Sequence, residues 1–284
     1  MSDIFDFESR NDDYAVMGNP IAHSKSPVIH SHFAAQTAEA VHYTAIQVDP
    51  GGFAQAVAHF QATGGKGLNI TVPFKQEAWS LVDSMSLRAQ RAGAVNTIKF
   101  DGNTLYGDNT DGIGLVNDLL NNNKLVLKNK NILLMGAGGA SRGVIIPLLE
   151  QKPAMLKIVN RTADKALDLA HQFADMGTVK GSGYEALDGE QYDVVINATA
   201  ASLSGEVPPL PVNIFKSDGV AYDMMYSAEP TAFLKWSALQ GVKKNIDGLG
   251  MLVEQAAESF YLWRGVRPET LPVIEMLRQE IIKN

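Results

Sequence analysis

Short apolar runs, each closed by glycine, proline, asparagine or aspartate nearby, recur along the chain at 14–17, 41–48, 67–72, 95–100, 132–135, 156–159, 194–196, 220–224 and 242–245. Rich in Val, Ile and Leu, they read as strands buried on both faces. Between most of them the apolar spacing becomes helical. Within 111–122 it falls at 113, 115, 116, 119 and 120, and within 248–263 at 252, 256, 260 and 263, each set lining one helical face. Strand alternating with helix predicts an α/β protein with parallel sheets covered by helices.

One segment of punctuation carries chemistry. Gly136-Ala137-Gly138-Gly139-Ala140-Ser141 follows the apolar run at 131–135 and opens a helical stretch. In a strand-turn-helix of this kind the first glycine permits the tight turn and the second admits a pyrophosphate to the backbone. The helix start adds N–H donors and a positive dipole end. Gly136 and Gly138 suit those roles, while Ser141 stands where the usual fingerprint has a third glycine. The next strand ends at Asn160-Arg161-Thr162, where the ribose-reading residue belongs. An acidic residue there would select NAD. Instead Arg161 offers a planar fork for a phosphate, Asn160 an amide and Thr162 a hydroxyl, with Lys165 one helical turn on, so NADP(H) is the expected cofactor. Arg161 and Lys165 could equally be solvated residues at a helix start.

Because this dinucleotide-type strand lies mid-chain, the residues before it belong to another domain. The expected division is a substrate-binding catalytic domain of 1–110 plus 248–284 and a Rossmann-type domain of 111–247, the C-terminal helix returning to the first domain. In the first domain, Ser24 and Ser26 are two residues apart and precede Pro27, so Ser26 reads as a helix N-cap. In an extended segment the two hydroxyls face the same way beside a helix start, an arrangement suited to a carboxylate. Lys75 falls in the first turn of the helix after 67–72. The dipole opposes positive charge there, and with burial it would lower the ammonium pKa toward a useful range. An ordinary surface lysine is the plainer alternative, just as Asp111 needs no more than an N-cap role. The coincidence of Lys75, Asp111 and a cofactor domain makes an acid and base pair worth considering.

Composition removes other classes. The 284 residues have a formal net charge of −7, no dense block of Lys or Arg and no Cys, which disfavours nucleic acid, anionic membranes and disulfide or thiolate chemistry. No apolar stretch approaches the ~20 residues of a membrane span. The polar, acidic start lacks the apolar core of a secretory signal, so a cytoplasmic location is expected. Of the six His, His30 and His32 lie two apart on a predicted helix and diverge, and no metal site is expected.

Taken together, the strings Gly-Asn-Pro-Ile-Ala-His-Ser-Lys-Ser-Pro at 18–27, Asn-Ile-Thr-Val-Pro-Phe-Lys at 69–75, Gly-Ala-Val-Asn-Thr at 93–97, Gly-Asp-Asn-Thr-Asp-Gly at 107–112, the loop at 136–141, Asn-Arg-Thr at 160–162 and Asp-Gly-Leu-Gly-Met-Leu-Val at 247–253 resemble the shikimate dehydrogenase family. The resemblance spans nearly the whole chain. It implies reversible reduction of 3-dehydroshikimate to shikimate with NADPH, in the pathway toward chorismate and aromatic amino acids, by a monomer or homodimer. It further implies that Ser24, Ser26 and Tyr226 hold the substrate carboxylate, and that Thr71, Asn96 and Gln255 hold ring hydroxyls or position the reacting pair. Lys75 and Asp111 then stand at the reacting oxygen, and Met224 and Gly248 at the nicotinamide end. Two departures are Lys165, where many members have Arg, and Ala200, where Ser is usual. The competing expectations are a quinate/shikimate dehydrogenase accepting NAD, and a catalytically silent NADP-binding regulator.

Overall fold

The computed structural model describes residues 11–199, 201 and 205–283. Residues 1–10 of the acidic start and Ala200 lie outside the described residues. The chain divides into two compact units, with a boundary between Thr110 and Asp111. The first unit also takes Ala256–Val273, while Asp111–Gln255 and the chain from Ile274 onward belong to the second.

The first unit runs β1 (Asp12–Gly18), α1 (Ser26–Thr37), β2 (Val41–Gln47), α2 (Phe53–Ala62), β3 (Gly67–Ile70), α3 (Lys75–Leu81), β4 (Ser84–Met85), α4 (Leu87–Ala92), β5 (Thr97–Asp101) and β6 (Thr104–Asp108). Its sheet has the order β2-β1-β3-β5-β6-β4. Strands β1, β2 and β3 are parallel, but β5 is antiparallel to both β3 and β6. Within this α/β arrangement the sheet is mixed, because Asp101 and Gly102, the latter at φ 57°, turn β5 straight back into β6. Strand β6 escapes the sequence pattern because Thr104, Tyr106, Gly107 and Asp108 dilute its apolar character. One core joins Ala15, Met17, Leu68, Ile70 and Ile98 to Phe53 of α2 and Phe74 and Ala78 at α3. The alternate residues Tyr14 and Val16 pack on the other face with Tyr43 and Trp263.

The second unit begins with α5 (Asp111–Asn117), whose last turn widens into a π-type turn over Asp118–Asn122. It continues β7 (Asn131–Met135), α6 (Gly139–Glu150), β8 (Met155–Val159), α7 (Ala163–Gln172), β9 (Val179–Ser182), β10 (Tyr192–Asn197), β11 (Phe215–Asp223), α8 (Ala232–Leu239) and β12 (Lys244–Ile246). Two further helices follow: α9 (Leu249–Arg264), which begins in the second unit and ends in the first, and α10 (Leu271–Lys283). The sheet is entirely parallel in the order β12-β11-β10-β7-β8-β9. Its apolar runs are continuous because both faces are covered. Ile132, Leu134, Ile158 and Ile196 meet Val144 and Leu148 of α6 and Leu169 of α7, whereas Leu133, Met135, Val159 and Val195 meet Phe233 and Leu234 of α8.

Helix α5 can pack only because it carries glycines. A Cβ on Gly112 would stand 2.4 Å from the Gly143 carbonyl oxygen of α6, and one on Gly114 would stand 2.7 Å from the Gln255 backbone nitrogen of α9. Among the described residues, no helix is long and apolar enough to cross a membrane.

Candidate functional site

In the first unit, the loops after β1 and β3 leave neighbouring strands at the same end of the sheet. They are bonded to each other: the Asn19 N–H donates to the Val72 carbonyl at 3.0 Å and the Thr71 N–H to that of Met17 at 3.0 Å. Gly18 allows this approach, since a Cβ there would meet Thr71 Cγ2 at 2.4 Å. The β1 loop carries Ser24 and Ser26. Sequence reasoning makes Ser26 the N-cap, but α1 starts at Ser26 itself and Lys25 occupies the cap position. The reason is local. The Ser26 N–H donates to the Ser24 hydroxyl at 3.3 Å, so the preceding serine meets the donor and draws the chain into the helix one residue earlier. Both serines therefore stand at a helix start that has no side-chain cap and no acidic residue in its first turn.

The β3 loop carries Thr71 and Lys75, each partly exposed, and Lys75 is the first residue of α3, as expected. Its backbone carbonyl accepts the Val95 N–H at 2.9 Å. Next along the chain, Asn96 is almost fully buried, and its Oδ1 accepts the Thr110 N–H at 2.9 Å while its Nδ2 donates to the Thr110 hydroxyl at 3.0 Å. Thr110 is one peptide bond from Asp111. Strand register and one buried amide thus hold the backbone leading into Asp111 close to the backbone of Lys75. Asp111 opens α5 within its first turn, not as the residue before it.

Asn96 belongs to a larger buried polar network. Asn69 Nδ2 donates to Ser259 at 2.9 Å and Thr97 at 3.2 Å, its Oδ1 accepts the Tyr43 phenol at 2.7 Å, and Thr97 donates to Asn96 at 2.9 Å. Behind it, Asp108 accepts Arg88 and Ser86. Sequence reasoning finds Asn96 only through resemblance, and misses Asn69, Thr97 and Ser259 as a group because nothing in their spacing links them. His30 is stacked on Tyr43 at 4.2 Å, and among the described residues its buried ring nitrogens make no hydrogen bond. Burial pushes its pKa down to about 3.

In the second unit, Gly136 has φ 106°, a conformation that favours glycine, and its N–H donates to the Val159 carbonyl at 2.7 Å. Ala137 is buried, and Gly138, Gly139 and Ala140 are exposed. Three features show that this loop suits a dinucleotide pyrophosphate. Helix α6 has no side-chain cap at Gly138 and no acid in its first turn. A Cβ at Gly138 or Gly139 would meet nothing within 4 Å among the described residues. The buried Ser141 hydroxyl has no hydrogen-bond partner among them, although it faces Gly136. Donors and access converge on one loop.

Beyond the neighbouring strand β8, Asn160, Arg161, Thr162 and Lys165 lie on the surface, Arg161, Thr162 and Lys165 exposed and Asn160 partly so. Asn160 Nδ2 closes the turn on the Thr162 carbonyl at 3.0 Å. A cavity of ≈ 480 Å³ beside them is lined by Asn160, Arg161, Tyr184, Thr199, Glu206 and Pro208 among others. No motif or spacing in the sequence points to Tyr184 or to the proline wall.

Met224 and Gly248 are brought together. A Cβ on Gly248 would stand 2.1 Å from the Met224 carbonyl oxygen, and the Gly248 N–H donates to Met225 at 3.1 Å. The buried Asp223 carboxylate fixes this turn by accepting the Met225 N–H at 3.0 Å, Asn197 at 3.2 Å and Thr231 at 2.6 Å. Tyr226 is partly exposed, and burial, helped by the charge of Asp247, raises its phenol pKa. Gln255, on α9, donates to the Leu252 carbonyl at 2.9 Å. Among the described residues no group of three or more His, Asp or Glu is placed to hold a metal ion.

Comparison with known proteins gives the following matches. Residues 16–98 match the shikimate dehydrogenase substrate binding domain, 118–204 the shikimate / quinate 5-dehydrogenase model, and 248–278 the shikimate 5'-dehydrogenase C-terminal domain. The chain is 56% identical over 275 residues to the shikimate dehydrogenase (NADP(+)) of Nitrosococcus oceani, covering 96% of this chain and 98% of that one. Among solved structures it is similar to the Ael1 enzyme of Pseudomonas putida, with a TM-score of 0.90, 45% identity and coverage of 94% and 98% of the two chains. The shikimate 5-dehydrogenase of Thermus thermophilus in complex with NADP(H) and shikimate gives a TM-score of 0.83 at 32% identity, covering 94% of this chain and 99% of that one.

Proposed function

The chain belongs to the shikimate dehydrogenase family, and from that premise we propose that it is an NADP-dependent oxidoreductase catalysing the reversible reduction of 3-dehydroshikimate to shikimate. The observation that carries the reading is the tether of Thr110 to Asn96, beside the Lys75–Val95 backbone bond. It supports the reading because it fixes the backbone of Thr110, the residue before Asp111, on the same stretch of chain that bonds to Lys75.

When bound, NADPH supplies the hydride for the ketone carbon. Lys75 gives a proton to the ketone oxygen as the alkoxide develops, and takes it back in the reverse direction. Asp111 orients the ammonium and supports its charge, and Asn96 holds the backbone that presents Asp111. Ser24 and Ser26 bind the substrate carboxylate at the uncapped start of α1, joined by Tyr226, while Thr71 and Gln255 take ring hydroxyls. On the cofactor side, Gly136, Ala137, Gly138, Gly139 and Ala140 would hold the pyrophosphate, Asn160, Arg161, Thr162 and Lys165 the 2′-phosphate, and Met224 and Gly248 the nicotinamide end. The enzyme acts as a cytoplasmic monomer or homodimer.

The test follows nicotinamide absorbance with shikimate or quinate as substrate and NADP or NAD as acceptor, comparing kcat/KM across the four combinations. Shikimate with NADP is expected to dominate. Comparable turnover of quinate, or preference for NAD, would transfer the chain to the dual-specificity reading, and NADP binding without turnover to the silent regulator.

A further inference from the structure

Strands β8 and β9 are parallel, with Val159 opposite Ser182, and the pairing continues one step further through the Asn160 N–H, which donates to the Ser182 carbonyl at 3.2 Å. Two residues beyond each paired end stand Arg161 and Tyr184. Both line the same cavity of ≈ 480 Å³. Tyr184 opens a single 3-10 turn, Tyr184–Leu187, anchored by the fully buried Leu187, and its ring packs on the core that holds Tyr192 and Ile214. Its hydroxyl makes no hydrogen bond among the described residues, and it lies close enough to feel the charge of Arg161.

We propose that Tyr184 is a specificity-determining residue for the cofactor, its hydroxyl donating a hydrogen bond to the adenosine 2′-phosphate beside Arg161. The inference rests on the reading of Arg161 as the phosphate-facing cation. The arrangement pairs a fixed cation with a neutral donor on adjacent strand ends, and a phosphate monoester can accept from both. Burial raises the phenol pKa to about 12 against the opposing pull of Arg161, so the hydroxyl keeps its proton throughout the working range and acts as a donor, not an anion that would repel phosphate. NAD carries no group for this bond.

Calorimetric titration of the apoprotein with NADP, NAD and adenosine 2′-phosphate tests this without turnover, using Tyr184→Phe and Arg161→Ala beside the unmodified chain. Phenylalanine keeps the ring packing and removes only a hydroxyl that no described residue engages, so folding is retained. The expected result for Tyr184→Phe is about tenfold weaker binding of NADP and adenosine 2′-phosphate, the size of one lost hydrogen bond to a charged group, with NAD unchanged. Unchanged NADP affinity overturns the proposal, as does an equal loss for NADP and NAD, which would place the hydroxyl at the adenine ring. Arg161→Ala separates the two layers. If it weakens NADP while Tyr184→Phe does not, only the role of Tyr184 fails, and if neither matters, the placement of the phosphate beside Arg161 fails with it.

Discussion

Two regions of the molecule, the network around Asn96 and the glycine-rich loop at Gly136, treat buried polar groups in opposite ways. In the first, Asn69, Asn96, Thr97, Thr110 and Ser259 are joined in one buried hydrogen-bonded network. In the second, the glycine-rich end of the sheet keeps a buried Ser141 hydroxyl without a partner among the described residues, and a helix start without a side-chain cap. Such a network fixes geometry before any ligand arrives, whereas donors left over from folding are donors for a ligand. The first region is thus organised through side chains that position other side chains, and the second through backbone.

Substitutions test that contrast. Lys75→Ala is expected to lower kcat by about 10²- to 10⁴-fold, the range of general acid–base catalysis, with NADP affinity by titration unchanged. A near-normal kcat would take Lys75 out of proton transfer. Asn96→Ala removes the acceptor of the buried Thr110 N–H, so urea denaturation should show a loss of about 1 to 3 kcal/mol. A fall in kcat beyond what unfolding explains would show that the tether to Asp111 has been lost as well.

Acid should expose His30 next. Its folded pKa of about 3 lies below the ordinary 6.5, so the unfolded chain binds the proton more readily. The stability it allows is complete above about pH 6.5 and declines as pH falls toward 3, at about 1.4 kcal/mol per unit. Denaturation midpoints between pH 6.5 and 4.5 should fall less steeply in His30→Phe than in the unmodified chain, and identical slopes would mean that another group governs the acid limb. The smallest effect is expected for Ser141→Ala. With no bond to lose among the described residues, its stability should change by less than about 0.5 kcal/mol while NADP binding weakens. A loss of stability as large as that of Asn96→Ala would erase the distinction between the two regions.

What can be read from the sequence follows the same line. The glycine-rich turn at Gly136 and the helix start at Lys75 are legible because a turn or a helix start concentrates its requirements in a few consecutive residues. The two-domain order is legible because Gly136 sits mid-chain behind a strand. Ser26 reads one position off because cap identity depends on which hydroxyl reaches the N–H, and that is Ser24. Strand β6 escapes the pattern since it mixes polar and glycine positions into a short run. Tyr184 is invisible because its partner Arg161 is set by register between strands, not by spacing along the chain.

The bond from Asn69 to Ser259 also has a meaning in time. It spans 190 residues, and Trp263 reaches back 165 to the Ile98 carbonyl. During synthesis at about 5 to 20 residues per second, Asn69 waits roughly 10 to 40 s for its partner to be made. Meanwhile nearly all of the second unit emerges. The part of the molecule translated first is therefore among the last to close its interior, and until then Asn69 and Thr97 lack the bonds that Ser259 will later complete.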